Sequence, residues 1–197
     1  MRFISRINSN DYQYIFVFIV CLTIFIASDI FEILNKINFA YWSGGILTQP
    51  YRIISAHFFH DDLNHLLANM SGIVVARYCL INLKLTNRIF FVFISALIIP
   101  LQSFFMFIFD VFLAKNLSSM SLGFSGVIFG VLGFLLLSSK YGKDYCLFLK
   151  IELKRNKQIQ EILLTIIILG IVWSFLPGIS ALGHLAGLIS GMILFLI

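Results

Sequence analysis

A chain of 197 residues that is 60% hydrophobic and only 12% charged, with a mean hydropathy of +0.98, has too little polar surface to close a soluble globule and has the composition of membrane spans. Its net charge of +5 does not point to nucleic acid, because the basic residues fall between apolar runs, where they set membrane orientation. Cys21, Cys79 and Cys146 lack the spacing of a disulfide framework, a redox pair or a zinc site and read as packing groups or unpaired cytosolic thiols.

Six spans at about the 20-residue length a bilayer demands follow in chain order over residues 14–34, 60–81, 89–109, 122–138, 161–175 and 180–197. The expected fold class is an all-α membrane protein, a bundle of six transmembrane helices forming a single domain over residues 1–197. The first span lacks a small-residue cleavage site and ends in Ser28, Asp29 and Glu32, so it reads as retained. The fourth and fifth are short with polar mouths, which suits ends buried in protein or opening to a water-filled cavity. Placing the N-terminus inside puts Arg2, Arg6, Arg77, Lys84, Arg88, Lys140, Lys143, Lys150, Lys154, Arg155 and Lys157 on the cytoplasmic side and leaves Lys36, Arg52 and Lys115 outside. Both termini are then cytoplasmic. The fourth span enters from the outer face, with Ser125 near its outer end and His184 at similar depth in the sixth.

The second span opens on a polar cluster. Within residues 57–69, His65 and Asn69 are four apart and share a helical face with Gly72. Both side chains can donate hydrogen bonds, as acyl transfer requires of the groups that meet a developing oxyanion. Histidines beside Asp61 and Asp62 also raise zinc. Against metal, His60 and His65 would diverge by about 140° on a helix of 3.6 residues per turn, and the His-Glu-x-x-His pattern is absent. His57 reads as an interior residue.

The fourth and sixth spans carry glycine stripes. Gly126, Gly130 and Gly133 fall on one face, which Ser125 borders, and His184, Gly187 and Gly191 share a face of the sixth. Such stripes by themselves commonly serve close helix packing. A serine and a histidine beside them at matching depth supply, in addition, the nucleophile and base of a serine hydrolase, and polar groups at membrane depth are functional candidates by default.

In this order, Arg52, His60, His65 and Asn69, then Gly123, Ser125 and Gly126, then His184, Gly187 and Gly191 resemble the rhomboid intramembrane serine proteases over nearly the whole chain. The resemblance implies Ser125 as nucleophile and His184 as general base, with His65, Asn69 and the Ser125 backbone N–H as oxyanion donors. It also implies that His60 supports the outer end of the site and that Arg52 braces the loop between the first two spans. Two positions depart from the pattern: Phe129 stands where many rhomboids carry tyrosine, able to stack on His184 but without a hydroxyl, and Tyr51 replaces a loop tryptophan. The outer loop over residues 36–49 is short.

The expected function is an intramembrane serine endopeptidase that cleaves single-span membrane proteins near the outer face through an acyl-enzyme, with no cofactor and no metal. Its partners are transmembrane substrates and the lipid bilayer, and its expected place is a bacterial inner membrane. Packing of the imidazole by Phe129 and nearby backbone stands in for a third acidic residue. His60, His65 and Asn69, with Gln102 and Ser103, are expected to line a polar cavity. Alternatives are an inactive rhomboid-like protein that binds membrane helices and, within the family, a rhombosortase-type processor of C-terminal sorting anchors. A transporter or channel would call for internal repeats or ionisable residues along a midplane path, and neither is present in the sequence.

Overall fold

The computed structural model describes residues 10–176 and 178–197; Arg2 and Arg6, used above for orientation, lie outside them. Six helices of 14 to 20 residues dominate: α1 (Tyr12–Phe25), α3 (Leu63–Asn82), α4 (Phe90–Ile108), α5 (Ser125–Tyr141), α6 (Lys157–Trp173) and α7 (Ala181–Leu196), with the four-residue α2 (Arg52–Ser55) between α1 and α3. α1 and α4 each run on into a π-helical turn, Ile26–Ile30 and Phe109–Ala114.

The helices start where capping chemistry places them. Asp62 accepts the amide of His65 at 2.7 Å, so α3 begins at Leu63 rather than at His60. Asn156 and Ser180 cap α6 and α7 by accepting from Ile159 and Gly183 at 3.2 and 3.1 Å. All three are residue types whose short side chains satisfy an orphan N–H of the first turn. α5 begins at Ser125, three residues later than the apolar run suggests, because Gly123 takes a left-handed φ of +111° and the chain turns there.

The chain is mainly helical, as the all-α class requires, and the helices are accompanied by short strands. Two short antiparallel ribbons are present, β1 (Tyr41–Trp42) on β2 (Met120–Ser121), and β3 (Lys143–Cys146) on β4 (Leu149–Leu153). The first ties the loop after α1 to the segment that leads into α5. The second is a hairpin between α5 and α6 from which the Lys143 ammonium donates to the Phe195 carbonyl at 2.5 Å and the Lys154 amide to the Leu83 carbonyl at 2.8 Å. It thereby collects the ends of α3 and α7. Cys146 packs inside this hairpin, where burial pushes its thiol up to about 11 and keeps it uncharged at neutral pH.

Two helical stretches, Tyr12–Ile30 and Phe90–Ala114, are long and apolar enough to cross a membrane, and α5 and α7 are shorter apolar helices. Large apolar side chains also cover outward faces: Phe16 and Ile19 on α1, Val74 on α3, Phe104 on α4, Ile168 and Leu169 on α6. A solvent of lipid accounts for that surface, and the chain is an integral, mainly helical membrane protein.

α5 forms the axis of the bundle, with every residue from Gly126 to Leu135 buried. Its main partner is α7, which runs parallel to it. A Cβ added to Gly187 would collide with the carbonyl of Gly126, and one on Gly191 with that of Gly130, so the two backbones touch at two successive turns. Gly133 meets the Leu188 carbonyl in the same way, 2.7 Å from where a Cβ would stand. On another side of α5, Gly72 of α3 accommodates the Ile128 side chain. Polar ties fix the remaining helices: Arg77 of α3 grips Asp11 with two bonds of 2.6 and 2.9 Å, and Gln13 of α1 accepts the Phe91 amide of α4 at 2.6 Å.

Substituting leucine for Gly187 must separate α5 from α7. Overpacking a dense core typically costs about 1–3 kcal/mol, and here the obstruction is backbone, which cannot swing away. The Gly187→Leu protein is expected to melt well below wild type in detergent. An unchanged melting temperature would mean that this contact does not hold the bundle.

Candidate active site

Three segments converge at one end of α5. Gly123 donates its amide to the Ala56 carbonyl at 2.9 Å, which docks the turn before α5 against the chain that leads into α3. Ser125 is the first residue of α5, so its hydroxyl stands at the mouth of the helix. The first-turn amides there have no partner within the helix and form its positive end. His184 lies in the first turn of α7, one turn before Gly187, at the depth where the two backbones meet.

The close approach brings the two candidate reacting groups together: His184 Nε2 lies 2.7 Å from Ser125 Oγ. Phe129, one turn along α5, stacks on the imidazole with centroids 4.3 Å apart and planes 12° from parallel. Phe129 is itself met at its ring edge by α6, since a Cβ on Gly170 would stand 2.5 Å from its Cζ. The same approach of α6 carries Ser174, at the helix end, to 2.5 Å from His184 Nδ1. Ser174 is buried and also donates to the Gly170 carbonyl at 2.6 Å.

Sequence reasoning missed Ser174 and Gly170. Ser174 lies ten residues before His184, at the boundary between two spans, where helical phase gives no direction. The arrangement Gly170–x3–Ser174 is itself a small-residue pair at helical spacing. That pairing was the available signal.

α3 contributes the third component. His65 Nε2 and Asn69 Nδ2 both face Gly123, where an added Cβ would lie 2.5 and 3.5 Å from them. Asn69 is buried and directs Nδ2 to the His65 carbonyl at 3.1 Å, which engages one of its two amide hydrogens. His65 Nδ1 faces the opposite way, toward the Asp61 carboxylate at 3.8 Å. Gly123 is therefore required twice, by its positive φ and because a side chain there would collide with His65 and crowd Asn69.

Other expected positions resolve differently. His60 and His65 do not diverge as a shared helix would require: His60 precedes the Asp62 cap, and the two rings meet edge to face with centroids 5.2 Å apart. His60 is fully buried, and neither ring nitrogen has a partner among the described residues. Ser103 is buried and engaged with its neighbours, bonding His57 Nε2 at 3.3 Å and the Ile53 carbonyl at 3.1 Å. His57 is correspondingly a buried, satisfied residue. Gln102 does stand at the site, against Gly126, where any side chain would displace its amide.

Arg52 sits under the loop that joins α1 to α2. Its guanidinium donates to the carbonyls of Ile37 and Ala40 at 2.8 and 2.7 Å and to the Gln49 side chain at 2.5 Å, and it lies over the rings of Trp42 and Tyr51. Lys36 closes the other side of this loop, pairing with Asp29 at 2.7 Å and donating to the Asp61 carbonyl. Among the described residues, no group of three or more His, Cys, Asp and Glu side chains is placed to hold a metal ion.

No curated protein matches the chain. The family model described as Rhomboid domain matches residues 47–197, a stretch that contains Arg52, the His65–Asn69 face, Ser125, Ser174 and His184. With that match covering most of its length, the chain belongs to the rhomboid family, whose members are generally serine proteases of the membrane, alongside inactive relatives.

Proposed function

We propose that this protein is an intramembrane serine endopeptidase with Ser125 as nucleophile and His184 as general base. The observation that carries the reading is the 2.7 Å contact between Ser125 Oγ and His184 Nε2, inside the range that proton transfer needs. As Ser125 attacks a scissile carbonyl, its proton passes to Nε2. The same proton then goes to the leaving amine, and the acyl-enzyme is hydrolysed by water activated in turn by His184. The tetrahedral oxyanion forms between the first-turn amide of Ser125 and the side chains of His65 and Asn69. The second amide hydrogen of Asn69, not engaged by the His65 carbonyl, is available to it.

The six long helices are read as six spans, with both termini cytoplasmic and the site near the outer face of a bacterial inner membrane. The distribution of lysine and arginine supports this orientation. Substrates are single-span membrane proteins whose helix unwinds at that face, because a serine protease attacks extended backbone. His60 and Arg52 are read as supports of the outer end, Arg52 through the loop carbonyls that it holds.

Labelling of the detergent-solubilised protein by a fluorophosphonate probe tests the reading. Wild type is expected to label, Ser125→Ala and His184→Ala not to, and neither variant should cleave a model single-span substrate. Absence of labelling in a folded wild type would make the protein an inactive relative. Parallel assays on a general substrate and on one bearing a C-terminal sorting anchor separate a broad protease from a rhombosortase-type enzyme.

The role of α3 has its own test. Removing one oxyanion donor typically lowers kcat by about 10² to 10³, so Asn69→Ala should lose rate on that scale with little change in KM. Chelators should leave wild-type turnover intact. Chelator-sensitive cleavage that survives Ser125→Ala would instead assign the histidines to metal chemistry.

A further inference from the structure

We infer that Ser174 is a positioning residue for the reaction, a neutral third member that fixes His184 in the tautomer able to accept a proton from Ser125. The inference rests on the reading of Ser125 as nucleophile and His184 as base, and it goes beyond that reading by assigning the far side of the imidazole.

The argument is a count of protons. Ser174 Oγ lies 2.6 Å from the Gly170 carbonyl oxygen and 2.5 Å from His184 Nδ1. Two oxygens at that separation repel unless a hydrogen lies between them, and the carbonyl has none to give. The single hydroxyl proton of Ser174 is therefore directed to Gly170, a back-bond of the kind serine makes to the carbonyl four residues earlier in a helix. With its proton so used, Ser174 Oγ can only accept at Nδ1, so Nδ1 carries the ring hydrogen and Nε2 is bare. The bare nitrogen is the one 2.7 Å from Ser125 Oγ.

The opposite assignment leaves the 2.6 Å oxygen pair without a proton and turns an N–H toward Ser125, which disables the base. Every proton in the first arrangement has an acceptor: Ser125 to Nε2, Nδ1 to Ser174, Ser174 to Gly170. When Nε2 gains the Ser125 proton in the transition state, Nδ1–H strengthens its bond to Ser174, and no further proton moves. This is the orienting service that the carboxylate performs in a Ser-His-Asp triad, supplied here by a neutral hydroxyl in a buried place where an unpaired carboxylate would be costly. Phe129, whose ring edge meets Gly170, fixes the plane of the imidazole by stacking on it, and Ser174 fixes its rotation within that plane.

The test uses the full-length protein in detergent with Ser174→Ala, Ser174→Thr and Ser125→Ala. Losing a hydrogen bond to a group that becomes charged should lower kcat roughly 10- to 100-fold, so Ser174→Ala is expected to fall by that factor with KM within about twofold, and fluorophosphonate labelling should slow in parallel. Ser174→Thr, which keeps the hydroxyl, should restore most of the rate. Nitrogen-15 spectra of histidine-labelled protein, with His184 assigned by its loss in His184→Ala, should show a protonated Nδ1 and bare Nε2 in wild type and a mixed or reversed tautomer in Ser174→Ala. Wild-type kcat in Ser174→Ala, failure of threonine to rescue, or a wild-type His184 protonated on Nε2 would each overturn the inference. Full labelling of Ser125→Ala would defeat the serine-hydrolase reading itself, whereas its loss beside an undiminished Ser174→Ala would defeat only the role of Ser174. In a wild type that does not label, the tautomer spectra still decide.

Discussion

The contact of bare backbone between α5 and α7 sets the position of almost everything else. Gly187 over the Gly126 carbonyl and Gly191 over that of Gly130 allow two parallel helices to lie closer than any pair of side chains permits. In lipid there is no hydrophobic gain from burying one apolar helix against another, so association depends on such close packing and on polar contacts. The register of the glycines then determines which side chains meet one turn further out. With Gly126 opposite Gly187, the residues that come together at the helix mouths are Ser125 and His184.

α6 completes this arrangement by the same means. Gly170 lets the helix press against the edge of Phe129, which holds that ring flat on His184. A tyrosine at this position would need an acceptor for its hydroxyl; phenylalanine needs none. Three helices thus meet through glycine, aromatic and imidazole surfaces, and the polar atoms left between them are few enough to be paired. Buried hydroxyls at membrane depth are costly without partners, and here they form the chain from Ser125 through His184 to Ser174 and Gly170.

The loop between α1 and α2 works under a different constraint. It carries no long helix, so its carbonyls must find donors elsewhere, and Arg52 supplies them for Ile37 and Ala40 while the β1–β2 ribbon supplies others. Tyr41 hydrogen-bonds the buried Asp110 at 3.2 Å, which joins the loop to the π-helical end of α4. The loop is in this way fastened from below by a guanidinium and from the side by strand pairing. That fastening reaches the candidate site through Ala56, whose carbonyl receives the amide of Gly123.

The sequence by itself determined the membrane class, the approximate place of each long helix and the faces on which the glycines, His65, Asn69 and His184 lie, because apolar length and a 3.6-residue period are local properties. It did not determine where α3 begins, since capping by Asp62 overrode the hydropathy and left His60 ahead of the helix, with its ring against His65 rather than pointing away. Nor did it reveal the two ribbons, whose strands of two to five residues are too short to carry an alternation. Ser103, equally polar and equally buried, was indistinguishable in sequence from a cavity-lining residue, and only packing assigned it to His57. The place of Ser174 was likewise a tertiary decision: a period fixes the face of one helix, but which atom of a neighbouring helix arrives there depends on how closely the two backbones approach, and Gly170 against Phe129 sets that distance.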